Sequence, residues 1–471
     1  MNYIKFGTDG WRAIIGHEFT TDNVSRVSLA VGKFLLEKKD NPKVVIGHDC
    51  RFGGQLFAET ASKILANQGI KVLLAKGYVS TPMVSLGVVN YKADLGIVIT
   101  ASHNPASYNG YKLKANFGGP LLPKEIKIIE ERIPEINTED VESINLQKLI
   151  EDKKIQYIDL ESDYLQHAIK NFDLELINNS KLKLAYNPMF GAGMNVVKKL
   201  LPNIYEINNY YNPSFNGIAP EPIHRNLIDF SDFIKKKNNI DCGFATDGDA
   251  DRIGLYNGKG EFIDSHHLIL LLIHYLVKYK KKTGKIVTAF SCTVKIKKIC
   301  QHYNLMQDTV KIGFKHIAEK MTNPEENVLL GGEESGGIAI NSHIPERDGI
   351  WMGLILFEFL AKSGKSIDDL IKEVYDIVGE FAFERIDLHL DNTKKQTIIE
   401  NCKNNKYSKF GNYQVKKIET TDGFKFFFDE DTWLMIRPSG TEPVLRTYAE
   451  APNQNKCFDI LKSAETTLLQ D

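Results

Sequence analysis

Ser102 lies in a polar turn that directly follows an apolar, β-branched run. The run at residues 95–99 predicts a buried strand, and the turn TASHNP at residues 100–105 ends it abruptly. A hydroxyl at the carboxyl end of a strand is a common place for a ligand or a reacting group in α/β folds. A lone serine in such a turn is most often only a surface residue. Three further motifs in this chain also contain residues that could bind a ligand or react. Together with them, Ser102 becomes a candidate reactive alcohol.

Three aspartates alternate along the motif TDGDADR: Asp247, Asp249 and Asp251. They follow an apolar run, and carboxylates cannot be buried beside a strand unless something neutralises them. Oxygen ligands of this kind suit a hard cation such as Mg²⁺. A solvated acidic turn is the plain alternative.

A calcium EF-hand loop also begins with alternating aspartates, but this chain departs from it. The EF-hand requires glycine at its sixth position and glutamate at its twelfth, where this chain has Arg252 and Gly258. Arg252 is better explained as a phosphate contact, because a guanidinium binds an oxyanion through two N–H groups.

Two further motifs could hold a polar ligand. In GGEESGG at residues 331–337, flexible glycines surround Glu333 and Ser335, an acceptor and a donor–acceptor that suit neighbouring sugar hydroxyls. A glycine-rich turn with a helix cap is an equal alternative. RPSGTEP at residues 437–443, followed by Arg446, combines arginine, hydroxyls and accessible backbone N–H groups into a nest for a phosphate dianion. An ordinary turn between strands is the alternative there.

Composition excludes several classes of function. The 471 residues include 59 basic and 60 acidic side chains, a formal net charge of -1, which favours neither nucleic acid nor an anionic membrane as a partner. Six scattered cysteines indicate a reducing compartment, no signal peptide is expected, and the longest apolar stretch is too short to span a bilayer. We expect a soluble, cytoplasmic protein. Neither a P-loop nor a complete dinucleotide fingerprint is present, so neither a nucleoside triphosphate nor a dinucleotide is expected.

Three stretches of the chain share one pattern: an apolar strand, a helical segment, and a second strand that ends in a turn of small residues. Strands that alternate with helices predict α/β domains with parallel strands. A polar, lysine- and asparagine-rich segment then precedes a smaller domain of strands and a closing helix. The predicted domains cover residues 1–150, 151–257, 258–385 and 386–471.

The four motifs, in this order and spacing, resemble those of the α-D-phosphohexomutase superfamily, of phosphoglucomutase/phosphomannomutase type. The resemblance covers essentially the whole chain and includes FGTDGWR at residues 6–12. It implies three similar α/β domains and a smaller C-terminal α+β domain around a central cleft. It also implies small-molecule sugar phosphates as partners, one Mg²⁺ per chain, a hexose 1,6-bisphosphate as activator, and a monomer or homodimer.

The resemblance assigns roles residue by residue. Ser102 would carry a phosphoryl group and, with the three aspartates, ligate the metal. Substrate contacts would come from residues in each motif and its surroundings: Thr8, His103, Arg252, Lys315, Glu333, Ser335, Arg347, Arg437, Ser439, Gly440, Thr441 and Arg446. Arg12, Lys112 and His343 would assist catalysis. Lys112 is the first candidate for the general base, provided that burial among cations lowers its pKa.

One departure from the family concerns proton transfer. Some branches have histidine where this chain has Gly337, and the segment HIPERDG at residues 343–349 offers His343 and Arg347 instead. His343 could equally be a packing residue.

The reaction implied is a phosphoryl transfer from Ser102 to a hexose phosphate, reorientation of the bisphosphate, and return of the other phosphoryl group. Reorientation requires the fourth domain to loosen, so a hinge is expected near residues 379–391.

The sugar is left open. The loop with Glu333 and Ser335 and the His343 segment favour glucose phosphates, with phosphomannomutase and phosphoglucosamine mutase activities as alternatives. A sugar-phosphate phosphatase that uses the same serine and metal, and a non-catalytic sugar-phosphate sensor, are alternatives of a different class.

Overall fold

The computed structural model describes residues 4–438 and 444–470 of the chain. They contain four large β-sheets, each flanked by helices. Three of the sheets are mixed and one is antiparallel. The first sheet has the strand order β1-β5-β4-β2-β3-β6. Its elements are β1 (Trp11–Ile14), α1 (Thr21–Leu36), β2 (Lys43–His48), α2 (Gly54–Asn67), β3 (Lys71–Ala75), α3 (Thr81–Asn90), β4 (Leu95–Ile99), β5 (Tyr108–Ala115), α4 (Pro123–Glu130), α5 (Leu146–Glu151) and β6 (Ile155–Ile158).

The second sheet has the order β11-β10-β9-β7-β8. Its elements are α6 (Leu160–Asn171), α7 (Leu174–Asn179), β7 (Leu184–Asn187), α8 (Val196–Leu200), β8 (Tyr205–Glu206), α9 (Ile228–Lys237), β9 (Cys242–Thr246), β10 (Ile253–Asn257) and β11 (Phe262–Ile263).

The third sheet has the order β13-β12-β14-β15. Its elements are α10 (Ser265–His274), β12 (Lys285–Ala289), α11 (Lys295–His302), β13 (Gln307–Val310), α12 (Phe314–Met321), β14 (Val328–Gly332), β15 (Ile338–Ile340), α13 (Gly349–Ser363) and α14 (Ile367–Val378). A π-helical segment, Tyr275–Tyr279, continues α10.

These three sheets share a core of four strands with one connectivity. In the first sheet, β2 lies between β3 and β4, both parallel to it, and β5 returns antiparallel to β4. The strands β8-β7-β9-β10 and β13-β12-β14-β15 repeat this arrangement. The prediction of three similar α/β units is therefore confirmed. Parallel strands form the centre of each unit, and antiparallel strands lie toward one edge.

The fourth sheet is antiparallel, with the order β16-β22-β21-β20-β19. The fourth unit comprises β16 (Ala382–His389), α15 (Asn392–Lys403), β17 (Lys409–Phe410), β18 (Tyr413–Gln414), β19 (Lys417–Glu419), β20 (Phe424–Phe427), β21 (Trp433–Pro438), β22 (Val444–Ala451) and α16 (Gln454–Gln470). Strands β17 and β18 pair with each other in a separate two-stranded sheet. The predicted C-terminal α+β domain is thus present.

The predicted boundaries need correction because each falls before the end of a unit or inside an element. Strand β6 pairs with β3 of the first sheet although it lies beyond residue 150, and β11 belongs to the second sheet although it lies beyond residue 257. Strand β16 crosses the predicted boundary at residue 385. It also fills most of the expected hinge at residues 379–391, which leaves residues 379–381, with Gly379 at φ 78°, as irregular backbone before it.

Hydrophobic packing joins the first three units. One cluster of buried side chains runs from Val45 on β2 through Phe244 on β9 to Phe381 beyond α14. Helix α13 follows the third sheet in sequence but packs its Phe357 ring against Phe244, with ring centroids 5.3 Å apart. The fourth sheet has its own core with α15 and α16.

No helix in residues 4–438 and 444–470 has both the length and the apolar sequence that crossing a membrane requires. The six cysteines are all buried and free. A cytoplasmic location stays a prediction.

Gly353 tests the packing of α13. A Cβ atom there would lie 2.5 Å from the Phe244 ring, which also contacts Phe357 of the same helix. We expect Gly353→Ala to lower the free energy of unfolding by about 1–3 kcal/mol, because overpacking forces the surroundings to shift. The measurement is the midpoint of thermal unfolding by calorimetry.

The matched control is Gly32→Ala in α1, where the added Cβ meets only the end of the flexible Gln68 side chain. That variant should be neutral or slightly stabilised, because alanine is the better helix former. Equal midpoints for both variants would contradict the packing described for α13.

Candidate active site

Three loops follow equivalent strands of the three repeated units and meet at one place. We call them the serine loop (residues 100–108, from the end of β4 to the first residue of β5), the acidic loop (residues 247–252, after β9) and the glutamate loop (residues 333–337, after β14). A Cβ atom on Gly248 would lie 2.5 Å from the Ser102 carbonyl oxygen, so only glycine allows the first two loops to come this close. The acidic loop also adjoins the glutamate loop, since the backbone N–H of Ile253 donates to the Gly336 carbonyl at 3.1 Å.

Ser102 is buried, and its hydroxyl points at the acidic loop. Its Oγ donates to Asp247 Oδ2 at 2.7 Å and lies 3.3 Å from His103 Nδ1. Its backbone has φ 52°, a left-handed conformation that is uncommon outside glycine. The serine and the aspartates, far apart in sequence, therefore share one site.

The three aspartates form a compact cluster. One carboxylate oxygen from each of Asp247, Asp249 and Asp251 lies within 4.8 Å of the others, and all three side chains are buried. Among the residues that the structure describes, no donor reaches Asp249 Oδ1 or Asp251 Oδ1. Buried carboxylate oxygens without a donor suit a hard cation, so the donor set fits Mg²⁺.

Two buried cations compensate part of this charge. Lys112 Nζ lies 2.7 Å from Asp249 Oδ2 and 3.0 Å from Asp251 Oδ2. Arg347 Nη2 lies 2.8 Å from Asp251 Oδ2. Asp9 joins the two cations, with its Oδ2 at 2.8 Å from Lys112 and 2.6 Å from Arg347.

Burial and mutual repulsion shape the pKa values of the cluster. Burial, reinforced by the charges of Asp249 and Asp251, raises the pKa of Asp247 well above its usual range. Burial acts in the same direction on Asp249, but the attraction of Lys112 and the hydrogen bonds from Lys112, Thr81 and Asp247 together outweigh it and lower the pKa of that carboxyl.

The condition set for Lys112 as general base is not met. Burial disfavours its ammonium form, but attraction to Asp249, Asp251 and Asp9 outweighs burial and raises its pKa. Lys112 lies among anions rather than among cations. We correct the expectation accordingly: Lys112 is a charge partner of the aspartates here, not a depressed-pKa lysine.

Arg12, Arg252 and His103 surround the serine. Arg12 Nη1 donates to Asn104 Oδ1 of the serine loop at 2.7 Å, and the Arg252 backbone N–H donates to Asp247 Oδ1 at 3.0 Å. Burial, together with the positive charges of Arg252 and Arg12, holds the pKa of His103 well below its usual range. These surroundings favour the neutral form of the His103 imidazole, which lies beside the Ser102 hydroxyl.

The glutamate loop contacts the rest of the third unit. Glu333 Oε1 accepts from the Gly313 backbone N–H at 3.0 Å, and burial raises the pKa of Glu333 to about 7. Ser335 is half-buried in the turn that follows. Gly313 also places Lys315 and Thr8 near this loop, because a Cβ on Gly313 would lie 2.9 Å from Thr8 Cγ2 and 3.8 Å from Lys315 Cε.

Arg347 occupies the space above Gly337. A Cβ at Gly337 would lie 2.4 Å from Arg347 Cδ and 3.6 Å from Glu333 Oε2. A larger side chain at position 337 would displace Arg347 from Asp9 and Asp251. The absence of a histidine at position 337 is thus linked to the presence of this arginine.

His343 does not join the cluster, contrary to its predicted role in catalysis. Its Nε2 lies 2.9 Å from Asp348 Oδ2, its Nδ1 lies 3.1 Å from His167 Nε2, and its ring stacks on Trp351 with centroids 3.8 Å apart. Both ring nitrogens therefore have partners, and Asp348 caps α13 through the Trp351 backbone N–H. His343 is a packing residue that joins α6 to the start of α13.

Two of the predicted arginines lie on the fourth sheet. Arg437 on β21 and Arg446 on β22 are paired directly across the two strands, and Arg437 Nε lies 3.4 Å from Asp422 Oδ1. The predicted phosphate ligands Ser439, Gly440 and Thr441 lie outside the described residues.

Several residues at the site were not singled out from the sequence. They hold other side chains in place rather than carrying an obvious motif: Asp9, Asp49, Arg51, Thr81 and Asn104. Thr81, for example, donates its hydroxyl to Asp249 Oδ2, and its backbone N–H donates to the Asp249 carbonyl at 3.0 Å. The one available signal is position: Asp49 and Arg51 directly follow a buried strand, as Ser102 does.

Successive segments of the chain match one protein family. Four family models of phosphoglucomutase/phosphomannomutase match it: α/β/α domain I at residues 3–140, domain II at 162–260, domain III at 264–378 and the C-terminal domain at 394–462. A phosphoglucosamine/phosphogalactosamine mutase of Sulfurisphaera tokodaii is 31% identical over 96% of each chain. A phosphoglucomutase/phosphomannomutase of Thermococcus kodakarensis is 30% identical over 97% of this chain and 96% of its own.

A solved structure supports the same assignment. A protein of Thermus thermophilus, assigned as a phosphomannomutase, superimposes with a TM-score of 0.87 at 31% identity over 99% of both chains. The family matches, the relatives and the shared architecture all indicate one family. It is the same family that the serine and aspartate motifs resemble. The chain belongs to the phosphoglucomutase/phosphomannomutase family, within the α-D-phosphohexomutase superfamily, and is therefore an isomerase of the mutase class.

Proposed function

We propose that this protein interconverts a hexose 1-phosphate and the corresponding 6-phosphate, with phosphorylated Ser102 as the carrier and a bound 1,6-bisphosphate as the intermediate. The observation that carries the proposal is the 2.7 Å hydrogen bond from Ser102 Oγ to Asp247 inside a buried acidic cluster. A serine that only completes a surface turn has no reason to be buried against three carboxylates.

Asp247, Asp249, Asp251 and Ser102 would hold one Mg²⁺. When bound, the ion supplies neutralisation of charge on the phosphoryl oxygens. The two Oδ1 atoms of Asp249 and Asp251 that no described donor reaches support this ligand set.

The transfer exchanges one P–O bond for another. The bond from phosphorus to Ser102 Oγ breaks, a bond to the free sugar hydroxyl forms, and the hydroxyl proton passes to a base. Phosphoryl transfer depends mainly on alignment and on charge stabilisation. Arg12 and Arg252, with side chains 20% and 12% exposed, are the cations next to the serine that solvent, and hence a phosphate, can reach.

The proton acceptor is assigned to His103 rather than to Lys112. Burial and nearby cations lower the pKa of His103 and so favour its neutral form, and its ring lies beside Ser102, whereas Lys112 is held charged by its three carboxylate partners. A neutral imidazole can accept a proton directly, and a charged ammonium group cannot.

The remaining predicted contacts divide between the sugar and its second phosphate. Glu333 and Ser335 would bind sugar hydroxyls, and Lys315 and Thr8 border that region. Arg437 and Arg446 would bind the phosphate that is not being transferred, which a phosphatase would have no need to hold. The cross-strand pair of Arg437 and Arg446 therefore favours a mutase over a phosphatase.

We propose glucose phosphates as the first substrate to test and glucosamine phosphates as the second. Glucose rests on the Glu333 and Ser335 loop alone, because the His343 segment is part of the packing between α6 and α13. Glucosamine is favoured by the relative from Sulfurisphaera tokodaii, whose name specifies amino sugars. Mannose phosphates are a third candidate, supported by the relative from Thermococcus kodakarensis.

The carrier role of Ser102 is tested by Ser102→Ala. We expect kcat to fall by more than about a thousandfold, since no other alcohol occupies this position. Binding of sugar phosphate should stay within a few-fold of wild type by calorimetry. Incubation with glucose 1,6-bisphosphate should add the mass of one phosphoryl group to the wild-type chain and none to the variant.

Ser143→Ala is the control, because Ser143 is exposed and its hydroxyl donates to the nearby Asp140 carbonyl. It should behave as wild type. Near-normal turnover by Ser102→Ala would rule out the phosphoserine mechanism.

A substrate panel separates the mutase from a phosphatase and ranks the sugars. With glucose, glucosamine and mannose 1-phosphates, each activated by its 1,6-bisphosphate, we expect 6-phosphate to form without release of inorganic phosphate. The measurement combines a coupled assay for each product with a phosphate assay. Release of phosphate in step with substrate loss would show a phosphatase, and turnover of glucosamine phosphate alone would overturn glucose as the first choice.

Removal of one ligand tests the metal site. We expect Asp251→Asn to weaken Mg²⁺ binding by more than about tenfold, because ligand charge sets the affinity of carboxylate sites. Asp241→Asn serves as the control, since Asp241 is exposed and its carboxylate accepts the Lys183 backbone N–H. Titration calorimetry gives both affinities, and equal binding by the two variants would place the metal elsewhere.

A further inference from the structure

Arg51 lies in the turn after β2 and binds the backbone of the serine loop at four points. Its Nη2 donates to the carbonyl oxygens of Ser102 at 2.7 Å and Asn104 at 2.6 Å. Its Nη1 donates to those of Pro105 at 2.8 Å and Tyr108 at 3.0 Å. The side chain is fully buried, with 1% of the residue exposed.

Asp49 and Thr100 close a ring of polar contacts with Arg51 and Ser102. The Thr100 hydroxyl donates to Asp49 Oδ2 and accepts from the Ser102 backbone N–H at 2.9 Å. Asp49 Oδ1 accepts the Arg51 backbone N–H at 2.9 Å, and its Oδ2 lies 3.2 Å from Arg51 Nε. The ring therefore binds both the backbone N–H and the backbone carbonyl of Ser102.

This arrangement depends on the sheet. Strands β2 and β4 are parallel neighbours, with His48 opposite Ile99, so the two turns that follow them lie side by side. None of the four residues of the ring is more than 1% exposed. A buried ion pair contributes little to stability by itself, because desolvation offsets much of its attraction. The role of the Asp49–Arg51 pair here is therefore to fix the geometry of the serine loop rather than to stabilise the fold.

The serine loop needs such support for two reasons. Ser102 adopts a left-handed backbone conformation, which a non-glycine residue keeps only where its surroundings impose it. Four loop carbonyls also converge on one point, and each buried carbonyl needs a donor. A guanidinium offers five N–H groups in a rigid plane, whereas a lysine ammonium offers three on a flexible stem.

The loop is also enclosed from the other side. The Ser102 carbonyl that accepts from Arg51 is the atom that a Cβ on Gly248 would approach to 2.5 Å. A change in the position of this carbonyl would therefore move Ser102 relative to Asp247 in the acidic loop.

We infer that Arg51, with Asp49 and Thr100, is a positioning residue for phosphoryl transfer: it fixes the backbone of Ser102 so that its Oγ meets the acidic loop. Arg51 does not touch the reacting atoms. The inference rests on the proposed phosphoserine mechanism, and it concerns the rate of transfer rather than the binding of sugar.

Arg51→Lys is the test, with Arg26→Lys as the matched control. Arg26 is also a buried arginine of the first unit, 8% exposed, and it donates to the Pro134 carbonyl and to Asn23 Oδ1, both at 2.7 Å. We expect Arg51→Lys to lower kcat by about a hundredfold or more, as a shift of the reacting group by about 1 Å does. KM for the sugar phosphate should stay within about threefold.

Phosphorylation of Ser102 provides the second readout. With glucose 1,6-bisphosphate as the donor, the rate at which the chain gains a phosphoryl group should fall in Arg51→Lys and stay near wild type in Arg26→Lys. An Arg51→Lys variant with wild-type kcat and transfer rate would overturn the inference. So would a loss of activity equal to that of Arg26→Lys at matched thermal stability, because that result would indicate a general effect on the fold.

Two further measurements keep the inference testable if Arg51→Lys folds poorly or if the proposed function fails. Thr100→Val keeps the shape of the side chain and removes the hydroxyl of the ring, so it should reproduce the loss of kcat with unchanged KM. Amide hydrogen exchange needs no activity: residues 102–108 should lose protection in Thr100→Val while α1 and α2 keep theirs. Unchanged protection in the serine loop would refute the positioning role even in a protein without mutase activity.

Discussion

Three carboxyl groups held within a few ångströms, out of contact with water, are the constraint on which the rest of this structure depends. Asp247, Asp249 and Asp251 come from one short loop and repel one another in a medium of low polarity. The cations that lie closest to their carboxylates, Lys112 and Arg347, come from the first and third units. Compensation of the charge cluster therefore draws on residues of three units.

The repeated topology explains how that assembly places chemistry at one point. In each unit the chain leaves a parallel strand, forms a loop, and returns along an antiparallel neighbour. The loop is therefore tied down at both ends by strands of the same sheet. The serine, acidic and glutamate loops occupy equivalent positions in the three units. Their residues differ, and so do the contacts that they make. The paired arginines of the fourth sheet lie on an antiparallel hairpin instead.

Residue type and spacing were enough to predict the serine, the three aspartates and the three α/β units, because each is a local pattern. Contacts between distant segments were not predictable. Arg51 and Asp49 look like ordinary turn residues until β2 pairs with β4 and brings the turn beside Ser102. The condition on Lys112 failed for the same reason, because in space the carboxylates of two other segments surround it. The ring of His343 could point toward the site or into the core, and only the packing of Trp351 and His167 decides it.

The most direct test of the account is whether the phosphorylated side chain and the divalent cation share one site. Mn²⁺, a paramagnetic substitute for Mg²⁺, can be titrated into the phosphorylated enzyme while the phosphoserine signal is followed by phosphorus NMR. The account predicts strong broadening of that signal by an equimolar amount of Mn²⁺, and a return to a sharp signal when excess Mg²⁺ displaces the Mn²⁺. A phosphoserine signal that stays sharp while the protein binds Mn²⁺ would separate the carrier from the aspartates and contradict the account.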